Sequence, residues 1–457
     1  MGSVLGRWAP FALALAAIGV GAAGAWSSML SVDSTAGVAL SILLVAAIFW
    51  IAEPVPLFVT GFLILLLNIV WMTPVLVADG SDIASSAFMS PFFSDVILLF
   101  LGGFVLSAAF QKYGIDERIA DAVLHRTGDR PAMVLGGVMV TTAVLSMWMS
   151  NTATTAMMLG LSGPLLSSVD RLDPFRKSLL LGIPFAANLG GLGTPIGTPP
   201  NAIAMQWLRQ DGTPIAFGTW IVMAAPMLMA LLLAAWFLLL RVHRTELRRI
   251  TATETSETLD ESGPGTRLVI GVTVVTILGW LTNAIHGLST GTVALLPVLV
   301  FFGARILSSD DFRQLPWDVL FLAGGGLSLG VSVSESGLAE YGVSLVPIEA
   351  APLVIAGGFA VVASLLSTFM SNTATANLLI PVAAGLPAEL QRPVLCVVAF
   401  SCSVSMALPV TTPPNAIAFG SGSLQVKDMA SLGSIMTVLG IVCALLSTVW
   451  WRMIGVF

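Results

Sequence analysis

Two pairs of serines, Ser146 with Ser150 and Ser367 with Ser371, recur at i,i+4 spacing in a chain whose apolar stretches offer little other polar chemistry. On one helix face such a pair would aim two hydroxyls at a single point. Each pair runs into the same pentapeptide, Ser-Asn-Thr-Ala-Thr, at residues 150–154 and 371–375. Each pentapeptide is followed by an identical heptapeptide, Thr-Pro-Pro-Asn-Ala-Ile-Ala, at 198–204 and 412–418. Hydroxyl and amide oxygens, with free backbone carbonyls, are hard ligands that suit an alkali cation. A lone serine pair more often bonds back to its own helix or lets helices pack closely. Symmetric recurrence ahead of both pentapeptides favours the ligand reading.

Charge is missing from the stretches that carry these motifs. Residues 131–169, 178–208, 351–386 and 393–426 contain no Asp, Glu, Lys, Arg or His. An anion bound among them must be held by Ser, Thr and Asn side chains, by helix N-termini with their free N–H groups, and by co-bound cations. An intramembrane enzyme would need an acid, a base or a metal site there. Cys396, Cys402 and Cys443 lie in apolar stretches without metal-ligand spacing, and His125, His243 and His286 sit near loop positions. Proton-coupled carriers depend on intramembrane carboxylates, which these stretches lack. A channel would need a continuous polar pore, whereas duplicated broken helices favour alternating access.

The elements that must position these residues follow from composition. Of the 457 residues 56% are hydrophobic and 10% charged, against roughly a quarter charged in a globular protein. This is an all-α polytopic membrane protein, with no sign of a nucleic-acid partner. Proline and glycine crowd 178–208 (Pro184, Gly190, Gly191, Gly193, Pro195, Gly197, Pro199, Pro200), and Pro409, Pro413 and Pro414 interrupt 393–426. Neither stretch can be a continuous helix.

The chain also duplicates beyond its short motifs. Residues 95–115 match 318–338 at constant offset, with Gly102 and Gly103 falling on Gly325 and Gly326. The expected organisation is an N-terminal transmembrane helix within 1–34, repeat one over 35–241, a polar cytoplasmic linker at 242–267, and repeat two over 268–457. About eleven spans are expected, with re-entrant hairpins at 131–169 and 351–386. With the N-terminus inside, only Arg209, Arg392 and Arg452 of the 19 lysines and arginines lie outside. That bias fixes the orientation, puts the C-terminus outside and inverts the repeats.

Paired Ser-Asn-Thr hairpin tips, paired Thr-Pro-Pro-Asn in broken helices, and a Gly-Gly helix before each hairpin resemble the divalent anion/sodium symporter family, over nearly the whole chain from about residue 35. The resemblance implies a homodimer in the cell's inner (plasma) membrane, with an elevator-type transport domain moving against a scaffold domain. It implies sodium-coupled carriage of a C4-dicarboxylate such as succinate, malate or fumarate. Citrate or sulfate symport, or dicarboxylate exchange, are the alternatives within the family. Carried over residue by residue, Asn151, Thr152, Ser371, Asn372 and Thr373 would contact substrate carboxylates, with Thr198, Thr412 and Pro413 nearby. Sodium one would use Ser146, Ser150, Asn151 and the Gly197 backbone. Sodium two would use Ser367, Asn372 and the backbone near Met370 and Thr411. Repeat two departs from strict symmetry, since Asn377 faces Ala156 and Thr411 stands where repeat one has Gly197.

Three features are expected to be structural. Asp95 and Asp318 begin helices and should cap free N–H groups, Glu53 should sit at the membrane interface, and the tryptophans should act mainly as interfacial anchors.

Overall fold

A computed structural model describes residues 2–124, 126–170, 172–210, 212, 214–250, 263–347 and 349–457. His125, Arg171 and the middle of the expected linker lie outside the described residues. Every regular element among the described residues is helical. Among the described residues eight helices are long and apolar enough to cross a membrane, and Trp8–Ala22, Pro131–Ser146 and Thr290–Gly303 are shorter apolar helices. The first expected segment is two helices, Gly2–Ala22 and Ala25–Leu30, turned by the left-handed Gly24 between them. Phe11 meets Phe49 edge-on, which packs the first helix against Ser34–Ala52.

The duplication is visible in three dimensions as an exchange between repeats. The Asp95–Lys112 helix of repeat one lies against Thr290–Gly303 of repeat two, and Trp317–Glu335 of repeat two lies against Leu57–Leu67 of repeat one. Both crossings are close because one side lacks a Cβ. A methyl at Gly102 would fall 2.5 Å from the Ala294 carbonyl, and one at Gly325 would fall 2.3 Å from Gly61 Cα. Each glycine-bearing helix then turns at an equivalent left-handed glycine, Gly114 (φ 58°) or Gly337 (φ 76°), into a short helix, Ile115–Leu124 or Leu338–Ser344.

Both proline- and glycine-rich stretches break as their composition predicts. Pro174–Gly190 gives way to a short 3-10 turn and an unwound segment before Pro199–Gln210. Ala388–Ser403 unwinds before Pro413–Gly420. Each hairpin tip meets a break. Thr194 donates its hydroxyl to the Met147 carbonyl, and Thr411 donates to the Thr368 carbonyl at 3.2 Å. Breaks fall near the middle of their segments, and the first is wholly buried in protein, where unwound polar backbone is tolerated.

Two sequence expectations need correction. Trp50, Trp220, Trp280 and Trp451 depart from the expected anchoring role, their rings being fully buried inside the protein. Their indole N–H groups donate to the carbonyls of Leu57, Leu192, Thr290 and Met223 at 2.9–3.3 Å, the usual fate of a buried indole. Trp50 ties its helix to the start of Leu57–Leu67, and Trp280 ties its helix to the start of Thr290–Gly303. Asp95 caps a neighbouring helix, not its own: it accepts from the Gly291 N–H at 2.9 Å and from the Ser289 and Thr290 hydroxyls, and pairs with Arg209 at 2.5 Å. The helix that begins beside Asp318 has no side-chain cap at all. Glu53 is an exposed left-handed C-cap whose N–H bonds the Phe49 carbonyl.

Candidate functional site

Each hairpin places one serine hydroxyl among oxygens. Ser146 ends Pro131–Ser146, and its Oγ lies 2.6 Å from Asn151 Oδ1 and 2.8 Å from the Ala187 carbonyl. Ser367 repeats this, 2.5 Å from Asn372 Oδ1 and 2.9 Å from the Cys402 carbonyl. A serine hydroxyl has one proton to donate. With the asparagine Oδ1 turned toward the serine, each triad sets three oxygens around a single proton. Such an oxygen-rich cluster has the donor set that could hold a hard cation.

Gly197 joins the first triad through Gly191. A Cβ on Gly191 would come within 2.8 Å of both Asn151 amide atoms and 3.1 Å of the Gly197 carbonyl. Asn151 and that carbonyl thus converge over one bare Cα. The structure accordingly brings Ser146, Asn151 and Gly197 together.

Ser150 and Ser371 have a different task. The preceding helices stop before them, so neither shares a helix face with Ser146 or Ser367. Each is instead the N-cap of its returning arm, accepting from the Ala153 or Ala374 N–H at 3.1 Å. These caps aim the N-termini of Asn151–Leu161 and Asn372–Ala384 at the breaks, partial positive charge first. Asn151, Ser371 and Asn372 are half-buried at the tips, and Thr152 is exposed. Thr373, Thr198, Thr412, Met370 and Thr411 are buried, while Pro413 is exposed. Val410, within the second break, is 79% exposed, whereas the first break is sealed.

Sequence reasoning missed the asparagines of the Thr-Pro-Pro-Asn motifs. Asn201 Nδ2 lies 2.9 Å from both the Gly191 and the Thr194 carbonyls. Asn415 Nδ2 donates to the Met406 and Leu408 carbonyls at 3.1 and 3.0 Å. Each amide bridges its own break and satisfies carbonyls that unwinding leaves without partners. The signal was available: an asparagine just after two prolines, repeated, in a helix that must be braced. The last threonine of each pentapeptide, Thr154 or Thr375, is sealed without a hydrogen-bond partner among the described residues, and the geometry gives neither a role. Asn377 lies over Gly326, where a Cβ would collide with its amide at 1.8 Å, and donates to the Leu322 carbonyl.

A cavity of about 600 Å³ lies elsewhere, between Ser94, Asp95, Gln206, Gln210, Val331 and Glu335. None of the hairpin-tip residues lines it.

Comparison with known proteins shows what the chain is similar to as a whole. The family model described as the sodium:sulfate symporter transmembrane region matches residues 7–457. The sodium-dependent dicarboxylate transporter SdcS of Staphylococcus aureus strain USA300 is 32% identical over 433 residues, covering 86% of this chain and 82% of that protein. SdcS of strain NCTC 8325 matches equally. Among solved structures, the Alcanivorax borkumensis YdaH transporter shares the fold with a TM-score of 0.53 at 12% identity, over 88% of this chain and 99% of that one. With its duplicated hairpins and broken helices matched along nearly its whole length, the chain belongs to the sodium:sulfate symporter family, the divalent anion/sodium symporters that its motifs resemble.

Proposed function

We propose that this protein is a sodium-coupled symporter of a divalent organic anion, a C4-dicarboxylate such as succinate, malate or fumarate. The observation that carries the reading is the pair of proton-poor oxygen triads, Ser146–Asn151–Ala187 and Ser367–Asn372–Cys402, in a site without fixed positive charge. Each triad suits one sodium ion, with Gly197 completing the first and the backbone near Met370 and Thr411 completing the second. The half-buried amides of Asn151 and Asn372, with Thr152, Ser371, Thr373, Thr198, Thr412 and Pro413, then meet the carboxylates. The relatives named for sodium-dependent dicarboxylate transport support this substrate class.

Sodium does the electrostatic work. A unit charge pair about 4 Å apart gains roughly 4 kcal/mol at an effective dielectric of about 20. A dianion entering the neutral site alone would lose its hydration without that return.

In this reading the hairpins, broken helices and the Phe217–Val242 and Val426–Met453 helices form the transport domain. The remaining spans form the scaffold of a homodimer. The boundary is lined by small residues: Trp207, Ile196 and Asn377 lie against Gly330, Gly103 and Gly326, which suits an elevator motion. The N-terminus is cytoplasmic and the C-terminus outside. In support, four long-range ion pairs among the described residues join groups that the charge bias puts on one side: Lys112 with Asp311, Lys177 with Asp428, Arg249 with Asp129, and Arg209 with Asp95.

The test is uptake by purified protein in liposomes. An inward sodium gradient should drive accumulation of labelled succinate, and unlabelled malate and fumarate should compete. Equal uptake in sodium-free buffer with internal dicarboxylate would establish exchange instead, and competition only by sulfate or citrate would change the substrate.

A further inference from the structure

Asn201 and Asn415 brace the two broken helices alike, but one buried residue of the first has no counterpart in the second. Asn188, in the last turn of Pro174–Gly190, is 2% exposed. The position equally far ahead of the second Thr-Pro-Pro-Asn motif is Cys402, which cannot do the same. Asn188 Nδ2 reaches into repeat two, 3.1 Å from Thr412 Oγ1 and 3.2 Å from Asn415 Oδ1. The network fixes which way this amide faces. Asn415 commits its nitrogen to the Met406 and Leu408 carbonyls, so its oxygen needs a donor, and Asn188 must present N–H.

Thr412 Oγ1 also accepts from the Asn415 backbone N–H at 3.3 Å. A hydroxyl has two lone pairs and one proton. With Asn188 and Asn415 occupying both lone pairs, Thr412 has only its proton left to offer, and that proton has no acceptor among the described residues. Ser146 and Ser367 are wired in the opposite sense: they spend their proton on protein oxygens and keep lone pairs for a cation. Thr198, the counterpart in repeat one, makes no side-chain hydrogen bond among the described residues and is not constrained in this way.

We propose that Asn188 is a positioning residue that makes Thr412 an obligate hydrogen-bond donor, so that the site selects a group that only accepts, an ionised carboxylate, at that point. This rests on Thr412 being a substrate contact, as read above. An amide or protonated acid presenting a donor at Thr412 is disfavoured by the same wiring.

A double-mutant cycle read by sodium-driven uptake separates the two ideas. Thr412→Val should raise KM for the dicarboxylate about tenfold. Asn188→Leu, close in size but without a donor, should raise KM about fivefold or more, with maximal rate and half-saturating sodium changed less than about twofold. In the Thr412→Val background, Asn188→Leu should add nothing further to KM. If Thr412→Val raises KM and the Asn188→Leu effect simply multiplies with it, the positioning role is overturned while the substrate site stands. If Thr412→Val leaves KM unchanged, the proposal falls together with its premise. Should Asn188→Leu fail to fold, Asn188→Ala takes its place in the same cycle, with the same outcomes deciding.

Discussion

Proton counting decides the character of each hydroxyl at the residue scale. Ser146 and Ser367 each sit against two oxygen acceptors with one proton to give, so Ser146→Ala should remove one oxygen from a cation's shell and leave the helix intact. The expected result is a rise of about tenfold or more in half-saturating sodium, measured by uptake at fixed dicarboxylate. Ser150→Ala should act differently, lowering stability by about 1 kcal/mol through the lost N-cap. The motifs themselves were legible in the sequence; the geometry behind them was not. Same-face spacing paired Ser146 with Ser150, yet the helix ends between them; Ser146 meets Asn151, the residue that the family resemblance set beside it. A sequence does not announce a helix end at a serine, because serine is tolerated both inside a helix and at its cap.

Unwinding is the dominant fact at the scale of single elements. Proline and glycine counts located both breaks, since no arrangement of those residues sustains a helix. What holds a break in one shape was hidden, because it depends on which carbonyls lose partners. Asn201 and Asn415 supply that, and Asn201→Leu should strand two buried carbonyls. A loss of about 1–3 kcal/mol for each should lower Tm by about 5 °C, read by thermal denaturation of purified protein. Gly191→Ala makes a complementary prediction. The new methyl meets the Asn151 amide at 2.8 Å, so sodium-driven uptake should fall more than about tenfold while Tm changes little, because the displaced group belongs to the site and not to the core. The tryptophans show the converse limit: the burial of Trp50, Trp220, Trp280 and Trp451 depends on the neighbouring helix, which periodicity does not reveal.

Across the whole molecule, the repeats are interlocked and not side by side. Glycine surfaces let Asp95–Lys112 and Trp317–Glu335 lie against helices of the opposite repeat. The duplication was legible in sequence; the exchange of partners was not, since equivalent pairings within a repeat would leave the same pattern. Between the proposed scaffold and transport domains, Arg209 pairs with Asp95 beside the 600 Å³ cavity. The ionisable groups lie away from the hairpin tips, which predicts the pH response. Asp311 is held down to about 2 by the Lys112 hydrogen bond and the Ser308 amide. Its contribution to stability is therefore present above its ordinary value near 3.8 and is lost only as pH falls through about 2. Uptake should be flat from about pH 6 to 9 and decline only where the substrate's own carboxyls protonate, below about pH 5. A midpoint near 6–7 in the uptake profile would contradict this.

The central claim is that a site with no fixed positive charge holds a dianion only when cations bind with it. Equilibrium binding of labelled succinate to purified protein, with sodium exchanged for choline at constant ionic strength, tests it directly. The account predicts saturable binding in sodium and a weakening of at least about a hundredfold in choline, a difference of about 2.7 kcal/mol. Equal affinity in the two buffers would contradict it.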